Sequence, residues 1–113
     1  MKVSFNGFNS KELTFICDDS SIVGFPVKIT ENSTVSKCNE GDGFVGICTQ
    51  ADSENAVVQL TGHVKINYSG SAPVLGRNTL VCGEDDTVKA SADGVPCTVL
   101  NVNTTEMTVE FLF

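Results

Sequence analysis

Gly41, Gly43 and Gly46 spell Gly-x-Gly-x-x-Gly inside the stretch NEGDGFVGICTQ, residues 39–50. This spacing holds a dinucleotide when the glycines turn a strand into the start of a helix. The helix N–H groups and dipole then take the pyrophosphate. Here the order is different. The glycines follow a polar turn and lead into FVGICTQ, which reads as a strand, and no helical pattern follows. A nucleotide site is therefore excluded. Gly41 and Gly43 are expected to supply positive φ in a turn, and Gly46 to relieve crowding within a strand.

His63 is the single histidine. It stands between Thr61 and Lys65 on what reads as the polar side of a strand. A general base needs an orienting partner and a pocket. No Gly-x-Ser-x-Gly elbow or Cys/His signature accompanies it, so a solvent-facing or interface histidine is expected. A pocket lined by His63 or by an acidic pair would instead favour a small enzyme, and an exposed His63 would count against one. The acidic pairs Asp18-Asp19 and Asp85-Asp86, with Asp42, lack the alternating oxygen ligands and closing Glu of a calcium loop. They read as solvated turn residues. Paired carboxylates for glycoside hydrolysis stay open on sequence alone, although a chain without Trp makes a poor sugar cleft.

Cys17, Cys38, Cys48, Cys82 and Cys97 are odd in number and scattered, with no Cys-x-x-Cys. Neither a zinc knuckle nor a redox pair is suggested. Reduced thiols are expected. No catalytic, cofactor-binding or metal-ligating residues emerge, and no cofactor is expected. The sequons at Asn32, Asn67 and Asn103 carry no weight without a secretory signal.

The elements that would position these residues are strands. In VQLTGHVKINY, residues 58–68, Val58, Leu60, Gly62, Val64, Ile66 and Tyr68 alternate with Gln59, Thr61, His63, Lys65 and Asn67. A period of two marks a half-buried strand. Met107, Val109, Phe111 and Phe113 repeat the pattern, and VPCTVLNV (95–102) followed by an NTTE turn completes a C-terminal hairpin. Further strands are expected at Lys2 to Phe8, Glu12 to Cys17, Pro26 to Ile29, Phe44 to Thr49, Thr79 to Cys82 and Val88 to Ala90. Turns fall at Asn6, Asp18, Glu31, Asn39, Ser69, Gly83 and Ala92. The expected fold is all-β, a small single-domain barrel or sandwich of short antiparallel strands spanning residues 1–113. Residues 24–113 form its core, and residues 1–15 an arm or first strands. The arm reading rests on Val3, Phe5 and Phe8, which are apolar in a Gly/Asn-rich context.

The formal net charge is −7. It argues against nucleic acid or an anionic membrane as partner. No run approaches the ~20 apolar residues of a membrane helix. Ser4, Asn6, Gly7, Asn9 and Ser10 interrupt any signal-peptide core, so the chain is expected to stay where it is made.

The order of elements resembles a known family. VGFPVKITENSTVSKCNEGDGFVGICTQ carries a Gly-x-Pro-Val-Lys start, a Thr-Val step after a polar turn, and Gly-Asp-x-Phe-x-Gly. AVVQLTGHVKINYSGSAPVLGRNTLVC adds Val-Gln-Leu-x-Gly and a Tyr-Ser-Gly-x-Ala-Pro corner. TVKASADGVPCTVLNVNTTEMTVEFLF adds Val-Lys-Ala, a Gly turn and the terminal hairpin. From about Gly24 to Phe113 this is similar to the small head-decoration, or capsid cement, proteins of tailed bacteriophages and prophages. The resemblance implies a non-enzymatic β-barrel-like virion protein. It would be made in the bacterial cytoplasm and bound, commonly as a homotrimer, to the outside of an expanded shell. Its partner would be the major capsid protein, with Val3, Phe5 and Phe8 as candidate capsid or subunit contacts. An acidic cement also fits docking on basic shell patches. The alternative is a β module that binds a host receptor or glycan.

Overall fold

The computed structural model describes residues 11–17 and 19–113. Within them β-branched runs and turn residues lay out β1 (Lys11–Ile16), a 3-10 turn (Ser20–Ile22), β2 (Pro26–Glu31), β3 (Thr34–Lys37), β4 (Gly46–Ala51) and β5 (Asn55–Thr61). There follow β6 (His63–Asn67), β7 (Gly76–Cys82), β8 (Val88–Ala90), β9 (Val95–Asn103) and β10 (Thr108–Leu112). The first five strands close into a barrel of order β1-β3-β2-β4-β5. The last five form an antiparallel sheet of order β6-β10-β9-β7-β8. The all-β barrel and the C-terminal β9–β10 hairpin are as expected from sequence. The expected strand at Lys2 to Phe8 and the turn residue Asp18 lie outside the described residues.

Each lobe has its own core. Cys17, Ile22, Val27, Val35, Cys48, Ala56 and Val58 fill the barrel. Phe44, Val64, Ile66, Tyr68, Leu80, Val99, Val109 and Phe111 lead the second cluster. Residues 58–68 therefore do not form one strand, and the expectation is corrected. Gly62, at φ 108°, breaks the run. Val58 ends in the barrel core, whereas Val64, Ile66 and Tyr68 end in the other. Both lobes bury the same alternate positions, so a period of two passes through the change of sheet without a mark. Gly62 donates to the Phe113 carbonyl at 3.1 Å and accepts from the Phe113 N–H at 3.2 Å, which pins the crossover to the C-terminus.

β3 was not expected as a strand, because only Val35 of its four residues is buried. Ser33, at φ 57°, tightens the turn that pairs it with β2. The barrel closes between β1 and β3 at a single parallel pair, Ile16 with Thr34. The Ile16 N–H also donates to the Ser33 carbonyl at 2.7 Å.

The expectation of five reduced thiols is also corrected. Cys38, just past β3, is disulfide-bonded to Cys82, the last residue of β7, with Cα atoms 6.0 Å apart. That separation lies in the normal range for such a bridge. The backbone brings the two together. The Gly41 N–H donates to the Cys82 carbonyl and the Cys82 N–H to the Asp42 carbonyl, both at 2.8 Å, so the 39–42 turn is pinned to the end of β7. Cys17, Cys48 and Cys97 are buried free thiols. Burial raises the Cys48 thiol and pushes Cys97 up to about 11, so neither is a ready nucleophile.

Candidate functional site

On β6 the pleat sends Val64 and Ile66 inward, leaving His63, Lys65 and Asn67 on the outer face. The β10 register sets Leu112 opposite His63, Glu110 opposite Lys65 and Thr108 opposite Asn67. Glu110 reaches diagonally. Its Oε1 lies 3.2 Å from His63 Nε2, and its Oε2 accepts from Asn101 Nδ2 at 2.8 Å. The His63 side chain is only 6% exposed. Of the two expected readings, solvent-facing or interface, the solvent-facing one is corrected. A diagonal neighbour on the next strand supplies its partner, and the neighbouring Gln59 amide donates to the His63 carbonyl at 2.8 Å.

An orienting carboxylate is one of the two things a catalytic histidine requires. The other is access. The adjoining groove, about 420 Å³, is lined by Lys65, Asn101, Asn103, Thr108 and Glu110, but not by His63. The imidazole thus does not face that groove, and the pair reads as a structural tie across β6, β10 and β9.

The glycine motif leads into β4, as the strand reading required. Gly41 has φ 92°. Gly43 does not adopt the left-handed conformation expected of it and has open space around its Cα. A side chain at Gly46 would collide with the Gln59 carbonyl and Val58 Cγ1 of β5, so this glycine allows β4 and β5 to approach. Asp42, between the glycines, accepts from Lys28 Nζ at 2.8 Å and from the Asn39 N–H at 3.0 Å. The Lys28 hydrogen bond, followed by that of Asn39, holds its carboxyl below the ordinary value. It fastens a turn. Among the described residues no group of three or more His, Cys, Asp or Glu side chains could hold a metal ion.

A different feature, distinct from His63 and the glycine turn, lies on the surface. The loop between β6 and β7 presents Val74 and Leu75 at 73% and 62% exposure, while the neighbouring Pro73 is buried. Asn78 Nδ2 donates to the Val74 carbonyl at 3.1 Å. The Ser69 N–H donates to the Val88 carbonyl at 2.9 Å at the other end. Two adjacent aliphatic side chains thus stand in water on an anchored loop. The signal was legible as a Val-Leu pair between a proline and the β7 glycine, inside a segment otherwise made of turn residues. The candidate contacts Val3, Phe5 and Phe8 lie outside the described residues.

Compared with known proteins, the chain matches no family model, no curated protein and no solved structure.

Proposed function

We propose that this chain is a non-enzymatic capsid cement protein that binds the outer surface of a phage shell and stabilises its expanded form. The major capsid protein is the partner and a homotrimer the working unit. The observation that carries the reading is the anchored loop with Val74 and Leu75 exposed side by side. Isolated exposed aliphatics are ordinary, but an adjacent pair on a fastened loop suits burial against a partner. A net charge of −7 suits approach to basic shell patches, and repetition over a lattice turns a modest contact into a strong one. The turn-and-strand resemblance from Gly24 to Phe113 supplies the class of partner.

The loop can be tested directly. Burying each of these side chains contributes roughly 1.5–3 kcal/mol, and 1.4 kcal/mol corresponds to a factor of ten in affinity. Val74→Asp with Leu75→Asp is expected to weaken binding to expanded, undecorated shells by at least about tenfold. The melting temperature should hardly change, because both side chains are already solvated. Unchanged shell affinity would remove this loop from the interface. Deleting residues 1–8, with Val3, Phe5 and Phe8, is expected to weaken shell binding while leaving a folded core; full binding after the deletion would contradict an arm contact.

The second reading is a host-receptor or glycan module. The polar groove of Lys65, Asn101, Asn103, Thr108 and Glu110 favours it. Affinity for host cells with none for shells would select it.

A further inference from the structure

We propose that the Cys38–Cys82 bridge is a thiol–disulfide exchange site between the two lobes, opened by small thiols and closed by small disulfides that carry no net negative charge. The inference concerns the chain alone and does not depend on the capsid reading.

The two sulfurs are unequal. Cys82 is buried, whereas Cys38 is only partly so and lines a groove of about 460 Å³ with Phe25, Lys37, Glu40, Glu84 and Asp85. An incoming thiolate therefore reaches Cys38 Sγ first. Attack there forms a mixed disulfide on Cys38, and the S–S bond breaks with its electron pair going to Cys82, whose thiolate then takes a proton. A second thiol attacks the mixed disulfide, releasing Cys38 as a thiol and the reagent as its disulfide. In sum, the bridge and two thiols give two cysteine thiols and one small disulfide. The reverse reaction, with a small disulfide as oxidant, closes the bridge. The remaining cysteines, Cys17, Cys48 and Cys97, are buried and stand apart from this exchange.

The groove wall sets which reagents enter. Lys37 lies 4.4 Å over the Phe25 ring and 3.9 Å from the Asp19 carboxylate. Lys89 is engaged by Glu40 at 3.1 Å. Glu84 and Asp85 have no ion pair among the described residues, so negative charge is in excess around Cys38. A doubly negative thiolate such as mercaptoethanesulfonate is repelled, whereas the zwitterionic thiolate of cysteamine is not. Clefts of one sign change encounter rates by tenfold or more at low salt.

Reduction should loosen the lobes without unfolding them. The Gly41–Cys82 and Cys82–Asp42 hydrogen bonds remain, and each lobe keeps its core. Releasing a bridge across a sequence separation of 44 is expected to lower the melting temperature by roughly 8–17 °C, from the entropy of the freed chain and the unfolding entropy of a chain this long.

The test counts thiols in denaturant after equilibration of the native protein with cystamine, the disulfide of cysteamine, then follows reduction of the native protein. Three titratable thiols are expected before reduction and five after. Cysteamine should reduce the bridge about tenfold faster than mercaptoethanesulfonate, each rate normalised to its reaction with a small model disulfide. The preference should vanish near ~1 M salt and diminish in Glu84→Gln with Asp85→Asn. Cys38→Ser should melt lower and no longer respond to reductant. Five thiols after oxidation would overturn the proposal. So would equal normalised rates, or a reduction rate independent of thiol concentration, which would mean that the bridge opens only on unfolding.

Discussion

Phe111→Ala is expected to lower the melting temperature by about 12–20 °C, the largest loss from any single substitution considered for this chain. Phe111 is fully buried on β10. Its ring centroid lies 6.3 Å from that of Phe44 and 5.7 Å from that of Phe113, and those two lie 5.9 Å apart in an edge contact. Phe44 enters from the segment leading into β4, so this aromatic trio is where the barrel's connection is packed into the second lobe. Removing a buried phenylalanine costs about 3–5 kcal/mol through lost transfer energy and the cavity left behind, and the tilted ring contacts add to the loss. At about 2.1 cal/mol/K of unfolding entropy per residue, a chain of this length loses roughly 4 °C per kcal/mol. Phe111→Leu keeps most of the burial and should cost less than half as much. Thermal unfolding followed by circular dichroism checks both. A fall below ~4 °C for the alanine variant would mean that the trio does not join the lobes as described.

Gly46→Ala is expected to cost about 3 kcal/mol, the upper end of what overpacking usually costs, and to lower the melting temperature by roughly 12 °C. The added Cβ would meet the Gln59 carbonyl oxygen and Val58 Cγ1. The carbonyl belongs to the backbone of β5, which pairs with β4 on one side and β1 on the other, so it cannot swing aside as a side-chain tip would. Gly43→Ala, three positions earlier, is the internal control. It meets open space and has no left-handed φ, so its effect should stay within about 0.5 kcal/mol. Equal effects at the two positions would contradict the close-approach explanation of Gly46.

The same contrast shows how far the sequence could be read. β4, β9 and β10 were legible because β-branched and aromatic residues alternate there between clear turn signals. The role of Gly46 followed from its place inside such a run. The break at Gly62 was hidden, since residues on both sides bury the same parity in two different cores. β3 was hidden because a strand with a single buried residue leaves almost no periodic trace. The cover over His63 was hidden because its partner, Glu110, is 47 positions away; alternation tells which side of a sheet a residue faces, not what reaches over it. The Cys38–Cys82 pair was likewise invisible. Scattered cysteines give no pairing until the 39–42 turn is placed against β7. The exposed Val74-Leu75 pair was readable in principle, but turn residues around it drew attention to chain reversal rather than to the two side chains it displays.

The most direct test of the proposed function is to mix the purified protein with expanded, undecorated phage capsids, the partner proposed for it, and count bound copies per shell after sedimentation. Saturable binding at a fixed ratio to the capsid subunits is the expected result, with occupied shells releasing their DNA at a higher temperature than bare ones. No co-sedimentation with the cognate shell at micromolar protein would contradict capsid binding and would turn attention to host-surface ligands.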